Sequence, residues 1–291
     1  MVNYHSLKSI ELNIRHAVEH HSADEVIIYK TVDDEPIRLG YYFPPEHNKQ
    51  KKYPLFLFIH GGSWSSHRIF DDQTHWQGDY VGYLARYYAE KGLVCVSLDY
   101  RLSRAAGQEK KYGIIECYDD CCDALDYVFS HAEDYGIDME RRYILGESAG
   151  GHLAGALVAF HYDRKYSFNK TFLINPITYL HDEWKSRVPR DSDHPRLMKL
   201  SFDERADFLS PLCQIYDGIG DVVLIHGEED ILVNPEHSLK FHDRMVELGK
   251  RSEVHLIEKT GHAFLLAEYY QKGLEACKLA IEIINENILI K

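Results

Sequence analysis

Ser148 stands in the run Gly146-Glu147-Ser148-Ala149-Gly150, a Gly-x-Ser-x-Gly pattern. A serine hydroxyl becomes a covalent catalyst when a strand delivers it into a tight turn and a helix carries the chain away. The flanks fit that arrangement: Tyr143-Ile144-Leu145 reads as a strand end, and residues 152–158 have helical composition. In such a turn Gly146 and Gly150 leave room for neighbouring backbone where a Cβ would clash. A helix starting just after the serine points its first N–H groups at the site, which favours developing negative charge. The N–H of Ala149 is then the natural first donor to an oxyanion.

A second group of residues lies upstream. His60-Gly61-Gly62-Ser63-Trp64 follows the apolar run Leu55-Phe56-Leu57-Phe58-Ile59. Two glycines after a buried strand let the chain turn sharply and aim successive N–H groups into one cavity. This is a second source of oxyanion donors, each worth roughly 2.7–4 kcal/mol of transition-state stabilisation. Downstream, a sheet enzyme of this kind needs an acid and then a base, in that chain order. Leu224-Ile225-His226-Gly227 leads into three carboxylates, Glu228, Glu229 and Asp230. His262, in Lys259-Thr260-Gly261-His262-Ala263-Phe264, is the candidate base: Gly261 frees the loop to swing the imidazole toward Ser148, and Phe264 anchors it. His226, His237, His242 and His255 are rivals by residue type alone. His255 alternates within a strand, and the other three fall before or within the helix after the acid.

These groups need a rigid frame, and the hydrophobic pattern supplies one. Runs at 55–59, 93–98, 142–145, 171–174, 222–225 and 254–257 read as strands, several of them apolar on both faces. Between them lie helical patterns near 76–90, 116–134, 149–161, 235–248 and 267–290, and residues 6–21 suit an N-terminal helix. Strands at 26–29 and 37–43, separated by Asp33-Asp34-Glu35-Pro36, are expected to pair antiparallel at one edge. The alternation predicts an α/β fold with a mainly parallel central sheet and helices on both faces. No repeat or linker divides residues 1–291, so a single domain is expected. Residues 178–213, with three prolines and weak periodicity, are expected to form a small cap or lid.

Composition narrows the partners. The 291 residues carry a net charge of −13, which disfavours nucleic acid and anionic membrane surfaces. The N-terminus lacks a basic segment followed by a long apolar stretch, and no apolar run has bilayer length, so a soluble, cytoplasmic protein is expected. Among six cysteines, Cys117 and Cys121 share a helix face, but no Cys-x-x-Cys pair accompanies them; they read as buried small hydrophobes rather than half a metal site. The 18 histidines include no His-Glu-x-x-His run, so neither metal nor cofactor is implied. Homo-oligomerisation is left open.

The motifs together resemble a known family. His-Gly-Gly-x-Trp at 60–64, Asp99-Tyr100-Arg101-Leu102 after the next strand, Gly-Glu-Ser-Ala-Gly-Gly at 146–151, and the segments at 227–230 and 261–264 are similar to the esterase/lipase branch of the α/β-hydrolases, which includes hormone-sensitive lipase and bacterial carboxylesterases. The resemblance runs from about position 54 to the end. It implies an α/β-hydrolase fold, a Ser148–His262–Asp230 triad with the acid at the last position of Gly-x-x-Asp, and oxyanion donors at Gly62, Ser63 and Ala149. The family usually has glycine where Ser63 stands; a serine still offers its N–H but narrows the site. Asp99 and Arg101 take structural roles by the same likeness. The implied substrate is a small-molecule carboxylic ester with a short acyl group. An amide or formamide hydrolase, such as a kynurenine-formamidase-like enzyme or a peptidase, is the alternative on the same scaffold, and a non-catalytic binding protein is a third reading. Trp64, Glu147, Trp184 and Phe208 are candidates for the substrate pocket.

Overall fold

Along β3 (Tyr53–Ile59) successive side chains enter two different cores. Leu55, Leu57 and Ile59 join one buried cluster, and Phe56 and Phe58 the other. That period of two, apolar on both sides, is what a strand in the middle of a two-faced sheet requires. The computed structural model describes residues 4–66, 79–103, 112–160, 166–190, 192–262, 264–265 and 270–288.

In chain order the elements are α1 (Tyr4–Glu19), β1 (Glu25–Val32), β2 (Glu35–Tyr42), β3, α2 (Asp79–Ala89), β4 (Val94–Leu98), α3 (Ile114–Ser130), β5 (Ile137–Glu147), α4 (Ala149–Ala159), β6 (Lys170–Ile174), α5 (Phe202–Leu209), β7 (Val222–Gly227), α6 (Glu236–Glu247), β8 (Ser252–Ile257) and α7 (Tyr270–Asn287). The eight strands form one sheet in the order β1-β2-β4-β3-β5-β6-β7-β8. β1, β2 and β4 pair antiparallel, and every other neighbouring pair is parallel. One core, packed by α1, α2 and α7, holds Ile14, Tyr88, Phe172 and Ile284. The other, packed by α3, α4 and α6, holds Leu125, Leu153, Leu173 and Phe241.

This is the mainly parallel, helix-flanked sheet of the α/β-hydrolase fold, with the expected antiparallel pair at one edge. β5 is longer than the expected 142–145. It begins at Ile137, opposite Tyr53, and a register shift between Pro54 and Leu55 absorbs the extra residues. The patterns at 76–90 and 267–290 correspond to α2 and α7; residues 76–78, 267–269, 289 and 290 lie outside the described ones. Residues 178–213 are more ordered than a loop. A 3-10 turn covers Asp182–Arg187, α5 follows, and a second 3-10 turn spans Pro211–Gln214. α5 starts with a reciprocal cap: the Ser201 hydroxyl accepts the Glu204 N–H at 3.4 Å, and the Glu204 carboxylate accepts the Ser201 N–H at 2.8 Å. The buried Arg205 guanidinium then donates to the carbonyls of Leu197, Pro189 and Arg190, stitching the segment to itself. Among the described residues no helix is long and apolar enough to cross a membrane.

The candidate active site

β5 delivers Ser148 to the C-terminal edge of the sheet, and α4 starts at the next residue. Ser148 sits at φ 54° and ψ −118°, a conformation that L-residues avoid. Its N–H donates to the Ile174 carbonyl at 2.8 Å, and its carbonyl accepts the His152 N–H at 2.9 Å, so strand and helix both hold the turn. The turn also depends on missing side chains. A Cβ on Gly146 would lie 2.1 Å from the Gly150 carbonyl oxygen, and one on Gly150 would lie 2.2 Å from that of Ile59.

Three distant residues converge there. The Ser148 hydroxyl lies 2.9 Å from His262 Nε2, and His262 Nδ1 lies 2.6 Å from Asp230 Oδ2. A carboxylate only accepts, so Nδ1 carries the proton and Nε2 is free to accept from the serine. The other oxygen of Asp230 accepts the N–H groups of Leu232 and Val233, each at 2.9 Å. Burial by itself would raise the Asp230 pKa. Contacts from His226 and His262 and the Val233 N–H outweigh it, and the carboxyl is held far below the usual range. His262 shows the converse balance: burial lowers its pKa, but the Asp230 hydrogen bond and the nearby Glu147 carboxylate carry it above the ordinary imidazole value. Glu147 Oε1 stands 3.7 Å from His262 Nε2 and is almost fully buried. Glu228 and Glu229, the other carboxylates of the acid loop, have a different part. Their N–H groups donate to Ile257 and Thr260, tying the acid loop to the base loop.

The His60–Trp64 loop is held from below and behind. His60 stacks on Tyr100 with centroids 4.4 Å apart, and the Tyr100 hydroxyl donates to the His60 carbonyl at 2.9 Å. Gly62, Ser63 and Trp64 have successive positive φ values of 100°, 53° and 59°, a curl that gathers N–H groups on one side. No hydrogen bond within the described residues takes up the backbone N–H of Gly62, Ser63 or Ala149.

The four candidate pocket residues divide. Glu147 is at the site. Trp64, expected at the pocket wall, is fully buried. Its Nε1 donates to His152 Nδ1 at 3.3 Å, and its indole packs edge-on against His152 and Trp184. The ring therefore buttresses the loop instead of forming an open wall. Trp184 is half-buried, and Phe208 packs against Phe160 with centroids 6.3 Å apart. His152 completes the buttress by donating from Nε2 to the Leu209 carbonyl at 2.8 Å. Burial lowers its pKa to about 4, so it stays neutral, as a ring that both donates and accepts must. A cavity of about 770 Å³ lies between residues 185–202 and the N-terminal end of α3, lined by Ser103, Glu116, Arg187, His194 and Phe202 among others; none of Ser148, Asp230 and His262 lines it.

Asn175, which in the sequence shows only as the end of a strand, sits at the centre of the support. At φ 42°, its side-chain NH₂ donates to the His262 carbonyl at 2.6 Å and its Oδ1 accepts the Gly227 N–H at 2.9 Å. It binds the loops carrying Asp230 and His262 to one point. The signal in the sequence is an amide directly after a core strand, at the same sheet edge as the serine. Arg101 has the structural role expected of it, in a part-buried ion cluster: it grips the buried Asp120 through two nitrogens at 2.7 and 2.8 Å, and Lys30 adds a third contact at 2.6 Å. Asp99 lies 3.7 Å from His60 Nε2. Among the described residues no group of three or more His, Cys, Asp or Glu side chains is placed to hold a metal.

The chain is similar to known proteins in family and fold. The BD-FAE family model matches residues 39–245. Arylacetamide deacetylase of Bos taurus is 34% identical over 160 residues, 53% of this chain and 36% of that protein. Tuliposide A-converting enzyme 1 of Tulipa gesneriana is 25% identical over 248 residues, 75% of this chain and 58% of that protein. The chain thus spans between about a third and three-fifths of the length of these two relatives. Among solved structures, a thermophilic esterase of the planctomycete Thermogutta terrifontis superposes with a TM-score of 0.73 at 25% identity, covering 91% of each chain. The butyrate-bound form of that esterase is 28% identical, with a TM-score of 0.69 over 91% of this chain and 95% of its own. The chain belongs to the BD-FAE family, within the esterase/lipase branch of the α/β-hydrolases.

Proposed function

We propose that this protein is a serine carboxylesterase that hydrolyses small esters of short acyl chains through an acyl-enzyme on Ser148. The observation that carries the reading is the unbroken hydrogen-bonded series from the Ser148 hydroxyl through His262 to Asp230, at 2.9 and 2.6 Å. In this mechanism His262 Nε2 takes the hydroxyl proton as Ser148 Oγ attacks the ester carbonyl, and Asp230 stabilises the imidazolium. The N–H groups of Gly62, Ser63 and Ala149 receive the oxyanion. Collapse expels the alcohol with the proton from His262 Nε2. A water molecule, deprotonated by the same nitrogen, then releases the acid and restores Ser148.

Short acyl groups are favoured because propionate- and butyrate-bound forms of the Thermogutta terrifontis esterase share this fold. In this reading residues 178–213 cap the site within a single domain. The free cysteines, five of them buried, suit a reducing cytoplasm. Amide hydrolysis is the second reading, favoured by the match to a protein named as an arylacetamide deacetylase. Turnover of p-nitrophenyl acetate through octanoate, set against an aryl acetamide and N-formylkynurenine, separates the two. The proposal expects the highest kcat/KM at acetate to butyrate. An amide or formamide preferred by a wide margin would replace it with the second reading.

A further inference from the structure

We propose that His226 and Ser238 lengthen the catalytic series by two members, with His226 acting as a positioning residue for Asp230. The inference rests on the ester-hydrolase reading of Ser148, His262 and Asp230.

His226 is the penultimate residue of β7 and is completely buried. Its Nε2 faces two groups, the Val233 carbonyl at 2.9 Å and Asp230 Oδ2 at 3.3 Å. An amide carbonyl and an ionised carboxylate can only accept, so the ring proton must be on Nε2. In the tautomer protonated on Nε2 alone, Nδ1 is an acceptor, and the Ser238 hydroxyl, itself fully buried in the first turn of α6, lies 2.8 Å from it. All hydrogen bonds of the series thereby acquire a direction. Ser238 donates to His226, and His226 donates to Val233 with its N–H dipole also facing Asp230. Asp230 in turn accepts from His262, which accepts from Ser148.

Two features distinguish this arrangement from an ordinary satisfied core histidine. The oxygen that His226 faces is Oδ2, the same one that takes the His262 proton at 2.6 Å. His226 also fixes the carbonyl of Val233, the residue whose N–H binds Asp230 Oδ1. Both carboxylate oxygens are therefore tied, one through the ring and one through the loop that the ring holds. Rotation of the carboxylate away from His262 would break contacts on both sides.

Among the described residues the charged groups facing this series are few. His262 faces Asp230 and Glu147. His226 faces Asp230 from the acid loop and the uncharged Ser238 from α6, while the neighbouring His237 turns its Nδ1 to the Thr178 N–H. Removing the His226 N–H leaves more negative charge on Oδ2, which holds the His262 proton more tightly. The acid limb of kcat/KM must then move to higher pH.

The test uses His226→Phe, which keeps a flat ring without a donor, and His226→Gln, whose amide N–H can take the place of Nε2–H. Ser238→Ala removes the outer member. Rates on p-nitrophenyl butyrate are expressed per site titrated by a fluorophosphonate, so that misfolded protein does not count. For His226→Phe we expect kcat lower by about tenfold, KM within about twofold of the parent, and an acid limb raised by about half a pH unit. His226→Gln should recover most of kcat and the parental limb, and Ser238→Ala should fall between. NMR titration of the His262 ring in parent and His226→Phe reads the same shift without any substrate. A parent that turns over no ester defeats the functional reading, and the NMR titration still decides the positioning role. An unmoved His262 titration, or a Gln variant no better than Phe, overturns the proposal.

Discussion

Ser148 occupies a backbone conformation that costs of order 1–3 kcal/mol for a residue with a Cβ. That cost is tolerable only because its N–H and carbonyl are both engaged, at 2.8 and 2.9 Å, by β6 and α4. The strain lifts the hydroxyl clear of the sheet edge and within reach of His262. In the proposed mechanism Asp230 sets the rest of the chemistry. Replacing it with Asn presents a donor or a weaker acceptor to His262 Nδ1 and favours the wrong tautomer; Asp230→Asn should lower kcat on the order of 10⁴-fold with KM little changed, measured on any good ester substrate. The pH profile has a definite sign. His262 works as a base only when neutral, and its pKa is raised because Asp230 and Glu147 outweigh the effect of burial. Activity is therefore lost as pH falls through a midpoint above about 6.5, the unperturbed imidazole value. Glu147→Gln removes one of the two carboxylates and should move that midpoint down.

At the scale of elements, β3, β5, β6 and β7 place the His60–Trp64 loop, Ser148, Asn175 and the loop carrying Asp230 side by side at one edge of the sheet. Close approach of α4 to the end of β3 brings Ser148 next to Gly61, where an added Cβ would lie 3.2 Å from the Ser148 Cβ. Gly150→Ala tests this contact: its Cβ would meet the Ile59 and His60 carbonyls at 2.2 and 2.5 Å, both backbone atoms with little room to yield. The helix must shift, so we expect a stability loss of about 1–3 kcal/mol in urea unfolding and a larger fractional loss of kcat than of bound substrate. These strands are legible in the sequence because a short run such as Leu55–Ile59, apolar at every position, suits a strand covered on both faces and little else. Ser148 is legible for a related reason, since the glycines around it answer a steric demand that leaves a pattern. His226 leaves none, and Asn175 leaves only its place directly after a core strand. Each makes its contacts through the folded chain, and a lone histidine or asparagine carries no period. By residue type His226 is a rival base, yet its ring contacts Asp230 and Ser238, and it is His262 that reaches Ser148. α5 is hidden for a different reason. Its Ser201-x-x-Glu204 cap is present, but at eight residues the helix is too short to show a hydrophobic period.

The molecule as a whole carries a net charge of −13, and its field acts on substrates before they reach Ser148. A neutral acetyl ester should be indifferent to salt. A hemisuccinate ester of the same alcohol should show a lower kcat/KM at low ionic strength, and that value should rise between about 10 mM and 0.5 M salt as the Debye length shrinks from about 30 Å to a few ångströms. An equal salt response for both esters would remove long-range charge from the account. Everything else depends on whether the sheet, the Gly62 loop and the base loop make Ser148 a nucleophile. Fluorophosphonate labelling followed by peptide mass spectrometry measures that directly. One adduct is expected, on the peptide carrying Ser148. It should be absent in Ser148→Ala and slowed by orders of magnitude in His262→Ala, with both variants folded. A folded parent protein that stays unlabelled, or one labelled on another residue, would contradict it.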